Sequence, residues 1–67
     1  MKMQYDKKTD AMYIELSKGT YKKSRKITDA IVVDEDKEGN VLGIEILDAT
    51  EHINDFNPNK ISISSVS

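Results

Sequence analysis

Apolar and polar residues alternate along two stretches of this chain, and that period of two constrains its fold more than any other feature. In residues 11–17 the apolar Met12, Ile14 and Leu16 alternate with Tyr13, Glu15 and Ser17. In residues 41–47 Leu42, Ile44 and Ile46 alternate with Val41, Gly43, Glu45 and Leu47. Successive side chains of a strand point to opposite faces, so each stretch predicts a half-buried strand. Twelve of the 25 apolar residues are Ile or Val, whose branched side chains suit a pleated surface better than a helix. A third strand is predicted over residues 24–34, with Ile27, Ile31 and Val33 on one face. A fourth is predicted over residues 2–6, with Met3 and Tyr5 together.

The links between these stretches carry turn chemistry. Residues 6–10 are short and polar enough to close a hairpin, and Lys18-Gly19-Thr20 suits a reversal. Asp36-Lys37-Glu38-Gly39 reads as a type I turn with Gly39 at positive φ. The favoured register then sets Val33 against Leu42 and Ile31 against Ile44, while a slip of one residue would pair Val32 with Ile44. Beyond the strands, Asp48 or Thr50 can cap a short helix within residues 49–55, with Ile53 turned back onto the sheet. Asn57-Pro58-Asn59 ends that helix, and residues 57–67 form an extended tail or an added edge strand. The expected fold is α+β and mostly β: an antiparallel four-stranded sheet of two hairpins with a short C-terminal helix. Residues 1–48 supply the sheet of a single small domain covering residues 1–67.

Composition narrows the classes of function. With no cysteine among 67 residues, disulfides, thiolate zinc sites and cysteine nucleophiles are excluded. The longest apolar run, Ala30-Ile31-Val32-Val33, is far short of a membrane span, and the first residues lack a signal-peptide pattern. A cytoplasmic protein without membrane association is expected. Twenty-five apolar side chains make a lean core for a domain this small, so oligomerisation or a partner is the natural supplement.

Two segments carry a family resemblance. Tyr5-Asp6 followed by Asp10-Ala11-Met12-Tyr13-Ile14-Glu15-Leu16 resembles the start of a widespread prokaryotic family, "domain of unknown function 2283". Asp34 through Gly39, then Val41-Leu42-Gly43-Ile44-Glu45-Ile46-Leu47-Asp48-Ala49, resembles its second signature, so the likeness covers roughly residues 1–50. The resemblance implies a small cytoplasmic β-rich domain with no established activity and no catalytic residues to carry over. Some members sit beside small toxin-like proteins, which implies an antitoxin-like role. Members often continue into a longer helix after the second signature, whereas here Pro58 and a Ser/Ile tail intervene.

Several constellations bear on chemistry. Residues 34–45 read D-x-D-x-E-G-x5-E, one substitution from a calcium-binding EF-hand loop. Both flanks have strand period instead of helical period, so the segment reads as an acidic hairpin turn, and no metal or cofactor is expected. His52 is the single histidine and reads as a solvated helix residue. No serine lies in a nucleophile elbow, and the chain is not expected to be an enzyme. Lys22, Lys23, Arg25 and Lys26 form a basic run that could touch phosphates, or could instead guard an edge strand against self-pairing. Tyr13, Glu45, Val41 and Leu47 fall on the face opposite the Met12/Ile14 and Ile44/Ile46 set and form the candidate interface. Either the tail, through Ile53 and Phe56, covers that face or a partner does. The leading expectation is a protein-interaction domain, either a homodimer or an antitoxin-like binder. The alternative is a nucleic-acid-binding or regulatory module using the basic run.

Overall fold

The structure is a computed structural model that describes residues 1–66. Its elements are β1 (Lys2–Asp6), β2 (Ala11–Glu15), β3 (Lys23–Lys26), β4 (Ile31–Glu35), β5 (Val41–Ile46) and a one-turn helix α1 (Ala49–His52). The strands form one antiparallel sheet in the order β1-β2-β5-β4-β3. β3, β4 and β5 follow one another as hairpins, and β5 returns beside β2, a Greek-key arrangement.

The sheet therefore has five strands and not four. The segment expected as one strand over 24–34 is split by a turn at Thr28, Asp29 and Ala30. Thr28 Oγ1 accepts the Ala30 and Ile31 N–H groups, each at 3.1 Å, and the Ile31 carbonyl accepts Ile27 N–H at 2.8 Å. A threonine hydroxyl offers the backbone this local alternative to a ladder. Ile27 therefore lies just past the end of β3, its N–H on the Ile31 carbonyl across the turn, and is 50% exposed.

At the next hairpin the expected turn is present. Gly39 has φ 87°, its N–H reaches the Asp36 carbonyl at 3.1 Å, and Asp36 N–H reaches the Asn40 carbonyl at 3.0 Å. The Asp36 carboxylate accepts Glu38 N–H, Asn40 N–H and Asn40 Nδ2–H, which holds its pKa below the ordinary value, the Asn40 side chain contributing most.

The register beyond this turn differs from the favoured one. Glu35 faces Val41, but Asp34 faces Gly43, Val33 faces Ile44 and Ile31 faces Ile46. Leu42 is thus an extra residue in a β-bulge. Its carbonyl accepts both Leu16 and Ser17 N–H, at 2.9 and 3.1 Å, and β2 stops at Glu15. Leu16, expected in the core, is 37% exposed.

Directly opposed residues share a face, so the registers define two faces. Met3, Tyr5, Met12, Ile14, Ile31, Val33, Ile44 and Ile46 form the aliphatic one. Gln4, Tyr13, Glu15, Val32, Asp34 and Glu45 lie on the other. The buried apolar residues are Met12, Ala30, Leu42 and Ala49.

The C-terminal segment packs on the aliphatic face. The Phe56 ring meets Tyr5 edge-on with centroids 5.0 Å apart, and Ile61 and Ile63 border a groove with Met3 and Ile14. The helix is shorter than expected; of the two expected caps, Asp48 holds the N-cap position and Thr50 lies inside the helix. Asp48, at φ 49°, makes no side-chain cap bond. The cap comes from Asp10, whose carbonyl accepts Ala49 N–H at 2.8 Å and whose carboxylate accepts the Thr50 hydroxyl at 2.6 Å. Asn57 and Lys60 close a turn, and residues 61–66 belong to no strand, so within the described residues the tail adds no edge to the sheet. Ser67 lies outside the described residues.

Candidate protein-binding face

Tyr13 occupies the middle of the second face, between Gln4 on β1 and Glu45 on β5. Its phenol lies across Gly43, where an added Cβ would collide with the ring and its oxygen, and would sit 2.9 Å from the Ile14 carbonyl oxygen. The missing side chain at Gly43 is what lets the tyrosine lie down on the sheet. Gly43 has Glu15 on one side and Asp34 on the other, and Glu45 is two residues further along β5. Three carboxylates therefore surround the phenol. Its pKa is raised first by burial, then by the charges of Asp34, Glu15 and Glu45.

A hydroxyl chain runs outward from this centre. Ser24 donates to Asp34 at 2.7 Å, and the Tyr21 hydroxyl lies 2.7 Å from Ser24. Because the Ser24 proton is given to Asp34, Tyr21 is the donor in the second bond. The connection between β2 and β3 passes over this end of the sheet, anchored by the Ser17 hydroxyl on the Val41 carbonyl at 2.9 Å. Beneath it opens a cleft of about 410 Å3, bordered by Tyr13, Glu15, Lys18, Tyr21, Asp34 and Leu42.

Of the four expected interface residues, Tyr13 and Glu45 are direct cross-strand neighbours. Leu47 follows the end of β5, half-buried, with its N–H on the Ala30 carbonyl at 2.7 Å. Val41 is not on this face. The bulge sets it opposite Glu35 on the aliphatic side, 39% exposed, and Leu42 replaces it in the cleft. Of the two residues expected as a possible cover for the Tyr13 face, Phe56 instead stacks on Tyr5, on the opposite face.

The basic run is divided. Lys22 lies just before β3 with its N–H on the Glu35 carbonyl, and β3 itself pairs along β4. Strand alternation places Lys23 and Arg25 on the aliphatic side and Lys26 on the Tyr13 side. Arg25 is engaged: its Nε and Nη2 donate to Glu35 Oε2 at 3.1 and 2.8 Å, which raises the guanidinium pKa. Glu35 is the buried charged residue of the described chain, at 6% exposure.

The positions of the EF-hand-like pattern are not convergent. Asp36 is turned into its own loop, and Glu45 stands in mid-strand between Tyr13 and Val32. No group of three or more potential metal-ligating side chains converges among the described residues. His52 Nδ1 lies 3.1 Å from the carbonyl of Asp48, the residue before α1.

Sequence reading missed Asp10. Its carboxylate joins the Tyr5 hydroxyl, at 2.7 Å, to the N–H and hydroxyl of Thr50. These bonds hold the Asp10 pKa below its ordinary value, the Thr50 hydroxyl contributing most, and raise that of Tyr5 through the same proton. Asp10 does lie in the first signature segment, but nothing local to it points forty residues ahead.

Fold and site together define a small Greek-key sheet domain with one aliphatic and one acidic, tyrosine-centred face. No helix among the described residues is long and apolar enough to cross a membrane. The family model for a protein of unknown function (DUF2283) matches residues 2–49, from the start of β1 to the first residue of α1, and the chain belongs to that family. No curated protein and no solved structure matches it.

Proposed function

We propose that this chain works by binding another protein, and that a basic surface of that partner seats on the Tyr13 face. The observation that carries this reading is the setting of Tyr13: an aromatic ring laid on the sheet, ringed by Glu15, Asp34 and Glu45, on the face that Phe56 does not occupy. Tyrosine supplies contact area and a hydrogen-bonding tip at low entropic cost, and clustered carboxylates steer and orient cations. An Arg or Lys from the partner would find both a ring face and counter-charges there. An antitoxin-like role is one form of this reading, since a small acidic chain lying over a basic RNA-binding surface blocks it by occupancy. The nucleic-acid alternative draws less support, because the cations of residues 22–26 are shared between two faces and Arg25 is committed to Glu35.

The test uses the full chain as bait in extract of its native host, washed with rising salt. A basic protein should stay on the wild type at low salt and elute as salt rises. It should be lost from Tyr13→Ala and Glu45→Arg baits that keep the wild-type circular dichroism. Retention of nothing, or of the same protein by all three baits, would reject the Tyr13 face as a docking surface.

A further inference from the structure

The two outer strands differ in a way that points to self-association. β3 reads Lys23-Ser24-Arg25-Lys26, so pairing it antiparallel with a second β3 brings cations together in its full-length register, Lys23 against Lys26. Such an edge is guarded. β1 reads Lys2-Met3-Gln4-Tyr5-Asp6, and among the described residues no strand lies beside its outer side. Antiparallel pairing of β1 with the β1 of a second copy, centred on Gln4, sets each Lys2 opposite an Asp6. Each Met3 then faces a Tyr5, and the two Gln4 residues meet on the axis. Lys2, Gln4 and Asp6 are all exposed, and Met3 is 40% exposed.

We propose that β1 is the contact between two copies of this chain, joined about a twofold axis into one ten-stranded sheet. Two features of β1 meet in that register. Lys2 and Asp6 lie on the Tyr13 side of both copies, so they form two symmetric cross-strand ion pairs. Met3 and Tyr5 lie on the aliphatic side of both, so that face continues across the axis. A shift of one residue would set side chains of opposite faces against each other, and a shift of two would separate Lys2 from Asp6. The contact is isologous and closes at two copies, because each copy has one such edge. It uses no part of the Tyr13 cleft, so it stands independently of the docking surface proposed above.

Sedimentation equilibrium on the full chain tests this. The wild type should approach twice 7.6 kDa as concentration rises. Lys2→Glu and Asp6→Lys should each weaken the dimer roughly tenfold or more by setting like charges opposite one another. Mixed in equal amounts, the two variants should form a heterodimer. The reversed charge at position 2 of one chain then faces the reversed charge at position 6 of the other, and the remaining Asp6 faces the remaining Lys2. Asp6 also accepts Lys8 N–H at 2.9 Å, so Gln4→Glu provides a second probe that leaves this turn intact. It sets two carboxylates together on the axis and should likewise leave a folded monomer. Glu45→Arg should not change the mass. A wild type that remains at 7.6 kDa throughout, variants as heavy as the wild type, or a mixture no heavier than its components would overturn the proposal.

Discussion

The Asp10 carboxylate accepts hydrogen bonds from residues five and forty positions away, Tyr5 and Thr50, and so ties the first hairpin to the helix after the last strand. It reaches both because Asp10 itself has φ 54°, a left-handed conformation that aspartate tolerates better than most residues. Its pKa is held below the ordinary 3.8. A carboxyl with a lowered folded-state pKa stabilises the fold above its unfolded value, and that contribution drains away as pH falls through the folded value. Asp10→Asn should therefore lower Tm by roughly 4 °C at neutral pH, about what loss of one cap produces in a domain this small. The gap to the wild type should narrow below about pH 4 as the wild-type carboxylate protonates. Thermal unfolding followed by circular dichroism at several pH values would show it; a gap that stays constant down to pH 2 would mean that Asp10 does not act through its charge.

At the scale of elements, the turn and the bulge of the β4–β5 hairpin set the register between them. The turn is local: Asp36 gathers the N–H groups of Glu38 and Asn40, and Gly39 takes φ 87°, where a side chain strains against its own backbone. Gly39→Ala should cost about 1–2 kcal/mol in urea unfolding, and Gly39→Asn distinctly less, since no neighbouring atom lies near an added Cβ and the cost is conformational alone. Equal losses for the two variants would place the strain elsewhere. This turn was legible in the sequence because the residues that form it, from Asp36 to Asn40, are contiguous. So were β2, β5 and the placing of Ile31 and Val33 on one face with Ile44 and Ile46, which follow from alternation alone, whereas the partners within that face were not. The bulge was not legible. Leu42 is displaced because its carbonyl serves both Leu16 and Ser17, a bond to a distant strand end that leaves no mark on residues 41–47. The same applies to the turn at Thr28, which contains neither glycine nor proline and joins one hydroxyl to backbone bonds across Ile27 and Ile31. Of the candidate site, the shared face of Tyr13, Gly43 and Glu45 followed from strand phase, whereas the Tyr13–Glu45 pairing needed the β2–β5 neighbourhood and Asp34 faces Gly43 only through the shifted register.

The whole molecule is a slab of about 35 × 33 × 19 Å, one sheet thick with a partial second layer. A sheet with an aliphatic face must bury it against something. Here α1 and the residues after it cover only the end near β1. Among the described residues no large side chain is fully buried, and Ile14, Ile31, Val33, Ile44 and Ile46 are half-buried. In so thin a layer each covering side chain carries a large share of the stability. Phe56 and Ile63 both lie beyond the family match and on the aliphatic side, but they differ in contact. Phe56 is half-buried and packed edge-on against Tyr5, whereas Ile63 is 76% exposed at the rim of an open groove. Phe56→Ala should cost roughly 1–3 kcal/mol, combining lost apolar burial with the lost aromatic pair. Ile63→Ala should stay within about 0.5 kcal/mol of the wild type. Urea midpoints at unchanged m values, taken at a concentration low enough to keep the chain monomeric, separate the two. Equal effects would mean that the second layer extends through Ile63. The expected contrast ends it near Phe56 and leaves the central isoleucines closed by strand neighbours alone.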